Sequence, residues 1–130
     1  MLVKNSLILD DNFQDAFSSL MKLKMPVKQC LELSSCVEDL SAQKSILVRA
    51  RRSIVDKYCL KNDDGEPLQD EKGNLRFDTP EIFNTCMGEI KEIEEEEIDI
   101  PVSSKVKVSK DEIMTPLQVL LLKDFIEIEE

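Results

Sequence analysis

A heptad pattern in the second quarter of the chain constrains the fold more than any other feature of the sequence. Positions stepped alternately by four and three from Leu33 are apolar except for two basic residues. They are Leu33, Val37, Leu40, Lys44, Leu47, Arg51, Ile54 and Tyr58. This pattern is typical of a long helix with one apolar seam, so we predict a single helix over residues 26–60. At about 1.5 Å per residue the helix would be roughly 50 Å long, so another element must run beside it.

Two basic residues, Lys44 and Arg51, interrupt this seam. We expect both side chains to cover apolar surface with their aliphatic stems while their charged heads reach water or a carboxylate. Where a shorter neighbouring helix leaves the seam uncovered, the same surface would allow two copies of the chain to form a homo-oligomer.

The segment before the long helix is predicted to form a strand and a first helix. The mainly apolar residues 2–9 suit a short strand or an extended lead-in. Apolar side chains then recur at helical spacing, with N-cap candidates at positions 10–12, which predicts a helix from about Phe13 to Lys24. Pro26 ends this helix because the residue before a proline avoids helical backbone angles.

The helix that follows the turn-rich segment has the clearest start in the chain. Thr79 supplies a capping hydroxyl, and Pro80 follows at the position where a helix needs no amide proton. Apolar residues from Ile82 to Ile93 form its stripe, and we expect it to lie antiparallel against the second half of the long helix. Glutamates at its end oppose the helix dipole, so it should fray or stop near Ile93 to Glu95.

Residues 61–78, between these two helices, are rich in turn formers. Turns around Gly65 and Gly73 alternate with short extended pieces, which is a β-hairpin pattern. A calcium-binding loop is the alternative for this acidic segment. Placing Gly65 at the sixth position of such a loop puts Leu60, which has no carboxylate, at the first, so acidic turns explain the segment better.

Beyond the third helix the apolar residues change from helical spacing to alternation with polar residues. Three alternating stretches predict three short strands, which the N-terminal strand could join in one small sheet. The stretches are residues 98–100, 106–108 and 126–128. Lysines of the middle stretch would face glutamates across this sheet. Between the last two strands, Thr115 and Gln118 form a capping box with Pro116 in the first turn, which predicts a short helix.

These elements predict one α+β domain that is mainly α. Its parts are a strand and first helix at 1–25, the long helix at 26–60, a β-hairpin loop at 61–78, an antiparallel helix at 79–95, and a small sheet with a short helix at 96–130. The fold would be a long antiparallel helical hairpin, with a β-hairpin at its tip and the small terminal sheet at its other end.

The charge and the absence of histidine exclude several function classes. The 130-residue chain has a net charge of −10 and no histidine. Histidine-dependent catalysis and histidine metal sites are therefore impossible, and binding to nucleic-acid phosphates is disfavoured. No phosphate-binding loop or nucleophile elbow is present, and the four cysteines form no CxxC pair. We expect no enzyme activity, no cofactor, no bound metal, and reduced, buried thiols.

The location follows from the apolar segments. No signal peptide or membrane-spanning stretch is recognised, because Lys4 and Asn5 break the N-terminal apolar run. We expect a protein of the cytoplasm, unless an assembly carries it elsewhere.

Two charge clusters are the candidate partner-binding sites. They are the basic residues Arg49, Arg51 and Arg52 and the acidic residues Glu94, Glu95, Glu96 and Glu97. The basic cluster is either a solvated helix face paired with glutamates or an anchor for a phosphate or a partner. The acidic run is either a solubilising surface or a contact for a basic protein surface, in the manner of proteins that mimic nucleic acid.

A set of short features occurs along the chain in a characteristic order. They are Leu20–Pro26, Arg52–Tyr58, Asp64-Gly65, Gly73-Asn74, Phe83, Glu89, Thr115-Pro116 through Leu122, and Phe125. In order and spacing they resemble a family of small proteins of unassigned role from phages and prophages of Gram-positive bacteria. The resemblance covers residues from about Ser18 to Ile126, although Cys59 stands where a glycine is expected at the end of the long helix. It implies a phage or prophage origin and no particular activity, and the family's frequent place among tail and lysis genes favours a virion-related or accessory role.

Together these observations predict a non-enzymatic, phage-encoded protein-binding module that acts on a host or phage protein in the host cytoplasm. A structural or assembly protein of the tail or baseplate is one alternative, and it would be associated with the virion. An acidic anti-defence inhibitor that occupies a nucleic-acid channel is another. Neither direct nucleic-acid binding nor membrane contact is expected.

Overall fold

The computed structural model of the protein describes residues 1–100 and 105–129. Its elements in chain order are β1 (Leu2–Lys4), α1 (Asn5–Ile8), α2 (Asp11–Leu20), α3 (Val27–Tyr58), α4 (Pro80–Glu95), β2 (Glu97–Asp99), β3 (Val106–Ser109), α5 (Pro116–Leu122) and β4 (Ile126–Glu129). One long helix and two small sheets confirm the predicted mixture of helix and strand. Residues 101–104 and 130 of the predicted terminal segment lie outside the described residues.

The long helix α3 is continuous, as the heptad pattern predicts. Pro26 immediately precedes its first turn, and Cys59 leaves it in an extended conformation. The buried residues of the helix are Leu33, Cys36, Leu40 and Leu47. All of them precede Val48, whereas the later seam residues Ile54 and Tyr58 are only half-buried.

The two basic interruptions of the seam have different surroundings. Lys44 Nζ donates to Asp11 Oδ1 at 3.1 Å and to Gln14 Oε1 at 2.8 Å, and the Lys44 side chain is 23% exposed. The predicted contact of the Lys44 head with a carboxylate is therefore confirmed. Arg51 is exposed, and within the described part of the chain it forms no ion pair.

The N-terminal strand is shorter than predicted. β1 ends at Lys4, and Asn5 starts the single turn α1, whereas the sequence favours an extended segment through the whole apolar run. Long-range bonds of the buried Asn5 account for the turn. Its N–H donates to Glu96 O at 2.9 Å, and its Nδ2 donates to Ile93 O at 2.9 Å. Its Oδ1 accepts from Gln43 Nε2 at 3.3 Å, so this residue ties the N-terminus to both α3 and α4.

Helix α2 begins and ends earlier than predicted. Asp10 caps it, with its Oδ1 accepting the Asn12 N–H at 2.9 Å. After Leu20 the helix gives way to turn bonds, such as Leu23 N–H to Leu20 O at 3.2 Å. The chain therefore leaves the helix before the proline that was expected to end it.

The starts of the two later helices are as the sequence predicts. Thr79 Oγ1 accepts the Ile82 N–H at 3.2 Å, and Pro80 follows as the first residue of α4. Thr115 and Gln118 form the reciprocal capping box ahead of α5. Local side-chain chemistry thus determines both helix starts.

The strands form two separate sheets, so the single predicted sheet is wrong. β1 pairs antiparallel with β2, and β3 pairs with β4 in parallel. Helix α5 lies between β3 and β4 in the chain and provides the crossover that a parallel pair needs. Lys107 lies opposite Glu127 in the parallel register, but the two form no ion pair in the described residues.

The main hydrophobic core lies around the first half of α3. Its aromatic centre is a cluster of Phe13, Phe17 and Phe125, whose ring centroids are 5.8, 5.7 and 5.5 Å apart. The other buried members are Val3, Ile8, Ala16, Leu20, Leu33, Cys36, Leu40, Leu47, Ile100, Val106, Val108, Leu122 and Ile126. They come from the sheets, α1, α2, α3, α5 and the residue after β2, whereas the buried residues of α4 are separate from this cluster.

The segment between α3 and α4 contains two turns built alike. Asn62 Oδ1 accepts the backbone N–H groups two and four residues later, both at 2.9 Å. Asp70 Oδ1 repeats this pattern eight residues further along, again at 2.9 Å. Gly65 and Gly73 take the equivalent positive φ angles of 79° and 82°, which glycine adopts without steric cost.

The extended pieces around these turns meet in a ring of three backbone hydrogen bonds. Leu60 N–H donates to Arg76 O at 2.8 Å, Arg76 N–H donates to Leu68 O at 3.0 Å, and Leu68 N–H donates to Leu60 O at 2.9 Å. Isolated antiparallel bridges accompany the ring, at Cys59–Phe77, Lys61–Pro67 and Gln69–Leu75. The turns lie where the sequence predicts them, and the chain around them closes into a three-way junction.

Candidate protein-binding groove

Most residues of α3 beyond Leu47 are exposed to solvent, although they continue the same helix. Lys57 Nζ of this half pairs with Glu89 Oε1 of α4 at 3.5 Å. Ile54, one turn earlier, lines the same cleft between the two helices as Ile93 of α4. The described contacts therefore place α4 along one face of α3 only.

A groove lies on another face of this half. Its lining residues are Val48, Arg51, Arg52, Val55 and Asp56 of α3 together with Pro67 and Leu75 of the following segment. Its volume is about 510 Å³. Arg52 and Lys57 are five residues apart, which is roughly 140° around the helix axis, so the groove and the α4 contact lie on different sides of α3. We call this feature the arginine groove.

The arginine groove is lined by apolar side chains beside two arginines and Asp56. We call its two valines, Val48 and Val55, the floor of the groove. Val48 is 38% exposed, which is high for a large apolar side chain, and Val55 is partly buried. Arg51 and Arg52 are both exposed. Exposed apolar surface flanked by arginine is the composition that protein interfaces favour over the rest of a protein surface.

The arginines of the groove have no carboxylate partner within residues 1–100 and 105–129. Lys44 and Lys57, by contrast, each pair with an acidic residue. Arg49 Nε donates to Ser45 O of its own helix at 3.4 Å. The interpretation of the basic cluster as a helix face paired with glutamates therefore finds no support in the described residues.

The acidic run lies elsewhere. Glu94 and Glu95 are in the last turn of α4, Glu96 is its C-cap and Glu97 opens β2. The backbone carbonyl of Glu96 accepts the Asn5 N–H, so the run lies beside the N-terminal turn. In the described residues no ion pair joins the acidic run to the basic cluster, so we treat each as its own candidate surface.

The thiols are free, and three of the four are buried. Burial raises the pKa of the Cys36 thiol to about 11. Burial, followed by the charge of Glu89 and the nearby Cys59, raises the pKa of Cys86. Both thiols are protonated at neutral pH, and a protonated thiol is a poor nucleophile.

Within residues 1–100 and 105–129, no group of three histidine, cysteine, aspartate or glutamate side chains converges as metal ligands would. None of the helices described is both long and apolar enough to cross a bilayer.

The sequence identified the arginines of the groove but missed its apolar floor. Val48 and Val55 are seven residues apart and lie off the main seam, so they form a second, short apolar stripe. From that second stripe the apolar floor could have been predicted. Pro67 and Leu75 reach the groove only through the turns of the following segment.

Comparison of the chain with protein-family profiles, with curated proteins and with solved structures found no match. The resemblance to phage proteins, and the origin that it implies, therefore stay predictions.

Proposed function

We propose that this chain is a non-enzymatic protein-binding module whose partner contacts the arginine groove. The observation that supports the proposal best is the pair of exposed arginines beside an apolar floor of Val48 and Val55. The chain has a net charge of −10, yet within residues 1–100 and 105–129 no carboxylate forms an ion pair with either arginine. Arginine in such a setting is available to form bidentate hydrogen bonds with a partner.

α3 and α4 would act as an antiparallel helical hairpin with a β-hairpin tip, which presents the groove on a rigid support. The module would be phage-encoded, would act in the host cytoplasm, and would bind a host or phage protein.

Affinity purification followed by quantitative mass spectrometry tests this function. The groove variant is Arg51→Ala/Arg52→Ala, and the matched control is Lys22→Ala/Lys24→Ala, which removes the same charge from exposed lysines outside the groove. We expect at least one protein from host lysate to be retained by the wild type and the control and lost from the groove variant. Equal retention by all three, with circular dichroism showing each of them folded, would contradict the proposal.

A further inference from the structure

We infer that the arginine groove accepts an acidic helix, with two apolar side chains about two turns apart and carboxylates between them. This inference rests on the proposed function, because it names the partner chemistry of the same groove. The partner is thus a protein segment of defined charge and periodicity.

The spacing of the floor residues favours a helical partner. Val48 and Val55 are seven residues apart on α3, which is roughly 10 Å along the helix axis. Arg51 and Arg52 lie between them, three or four residues from each valine, so they are close to the floor at its midpoint. A helix lying along α3 repeats its own side chains over the same distance, and its apolar residues would meet both valines in register.

The groove also lies on a face of α3 that α4 leaves uncovered, so a further helix has space to pack there. α4 covers the face that carries Ile54 and Lys57, through Glu89 and Ile93. The groove lies on a different face and is open to solvent. A partner helix there would extend the helix pair without displacing α4.

The local charge favours a few carboxylates over a polyanion. Two arginines and Asp56 line the groove, so its net charge is only about +1. Acidic and exposed residues also occupy the turns that precede Pro67 and Leu75, namely Asp63, Asp64, Glu66, Asp70 and Glu71. A nucleic acid would place many phosphates against this acidic surrounding, and its backbone would gain nothing from the valine floor. A helix with two or three carboxylates would place them against the two arginines, and its apolar side chains would cover the floor.

A designed peptide provides the test. The probe is a fluorescein-labelled, lactam-stapled helix with two leucines seven positions apart, two glutamates between them and alanine or glutamine elsewhere. Fluorescence anisotropy measures its binding to the full chain at low salt. Three ligands are compared with it: the peptide with lysine in place of glutamate, the peptide with alanine in place of leucine, and a single-stranded oligonucleotide.

The protein variants separate the groove from general charge. Arg51→Glu/Arg52→Glu reverses the charge at both arginine positions of the groove. Lys22→Glu/Lys24→Glu makes the same change in net charge outside the groove. We expect the acidic leucine peptide to bind the wild type and the control equally, and to bind the groove variant at least about tenfold more weakly, which corresponds to ~1.4 kcal/mol. We also expect both altered peptides to bind more weakly than the probe.

Several outcomes would overturn the inference. They are equal binding of the probe to the groove variant, no binding to the wild type, tighter binding of the lysine peptide, and displacement of the probe by the oligonucleotide. A dimer of the wild type that light scattering shows to dissociate in the groove variant would also overturn it, because a second copy would then fill the groove. If the probe does not bind while Arg51→Ala/Arg52→Ala still loses a protein from lysate, the acidic-helix inference is wrong and the proposed function stands.

Discussion

The first and second halves of α3 share one continuous backbone but have opposite surroundings. The first half contributes Leu33, Cys36 and Leu40 to the main core. The second half contributes only Leu47 among the buried residues of that core, and beyond Leu47 it displays Arg49, Arg51 and Arg52 to solvent. The heptad pattern runs through both halves, so the pattern specifies the helix, and the neighbouring elements decide which part of it is buried.

This difference separates the part of α3 that supports the main core from the part that we propose binds a partner. Burial of apolar surface is the main source of folding free energy, and it is concentrated around the first half. The second half has α4 on one face and leaves charged groups available on another. The following predictions compare the two regions, starting with the largest expected effect.

Removing an aromatic ring should cost far more in the main core than near the second half of α3. Phe125 is buried within the three-phenylalanine cluster, so Phe125→Ala should lower the free energy of unfolding by about 3–5 kcal/mol. Phe83 of α4 is 43% exposed and contacts only Phe77 among the aromatic rings described, so Phe83→Ala should cost less than half as much. Urea unfolding followed by circular dichroism measures both, and equal losses would contradict the division of the molecule.

The buried Asn5 should be the most sensitive polar residue. Asn5→Ala leaves Ile93 O and Gln43 Nε2 without their present partner, so it should lower the free energy of unfolding by about 1–3 kcal/mol. Asn84→Ala, at an exposed position of α4, is the matched control and should change it by less than about 0.5 kcal/mol. Similar small effects of both changes would show that the Asn5 hydrogen bonds contribute little.

The Cys36 thiol should make the stability of the core depend on pH. Its pKa is about 11 in the folded protein, against 9.0 for an ordinary thiol, so the unfolded chain binds fewer protons between these values. Stability should therefore fall as the pH rises from 9 to 11, by on the order of 2 kcal/mol. Urea unfolding at several pH values should show this extra loss in the wild type relative to Cys36→Ala, and parallel pH profiles of the two proteins would contradict it.

Two glycines near the second half of α3 should respond with opposite signs. Gly73 has a φ of +82°, so Gly73→Ala should destabilise by about 1–2 kcal/mol although nothing lies within 4 Å of the new methyl group. Gly88 also has free space and lies within α4, so Gly88→Ala should stabilise by about 0.5–1 kcal/mol. Thermal or urea unfolding measures both, and a stabilising effect at Gly73 would argue against the left-handed turn.

The smallest expected effect on stability is at the groove itself. Arg51→Ala/Arg52→Ala removes exposed side chains without an ion pair in the described residues, so the free energy of unfolding should change by less than about 0.5 kcal/mol. The same variant should lose the partner protein. A large loss of stability would instead indicate a structural role for these arginines.

Local patterns predicted α3 and the starts of α4 and α5 well because their causes lie within a few residues. The seam predicts a helix over 26–60, and α3 runs over Val27–Tyr58. The caps at Thr79 and Thr115 are correct because each depends on a residue three positions away. Short-range hydrogen bonds of this kind can be recognised in a single sequence.

Contacts between residues that are distant in the chain explain why the N-terminal strand and the single sheet were predicted wrongly. Asn5 bends the chain because it bonds to Ile93 and Glu96, and no local pattern indicates those partners. The division into two sheets likewise depends on which distant strands meet. The groove follows the same rule: its arginines were identified from their clustering, whereas Pro67 and Leu75 join them only in the folded chain.

Native-state amide hydrogen exchange along α3 of the free protein tests the division most directly. Amides of residues 33–47 should exchange slowest, because they open only when the main core unfolds, and amides of residues 50–58 should exchange measurably faster through local opening. Uniform protection along the whole helix, or slower exchange in the second half, would contradict the claim that α3 supports the core with one half and displays a binding surface with the other.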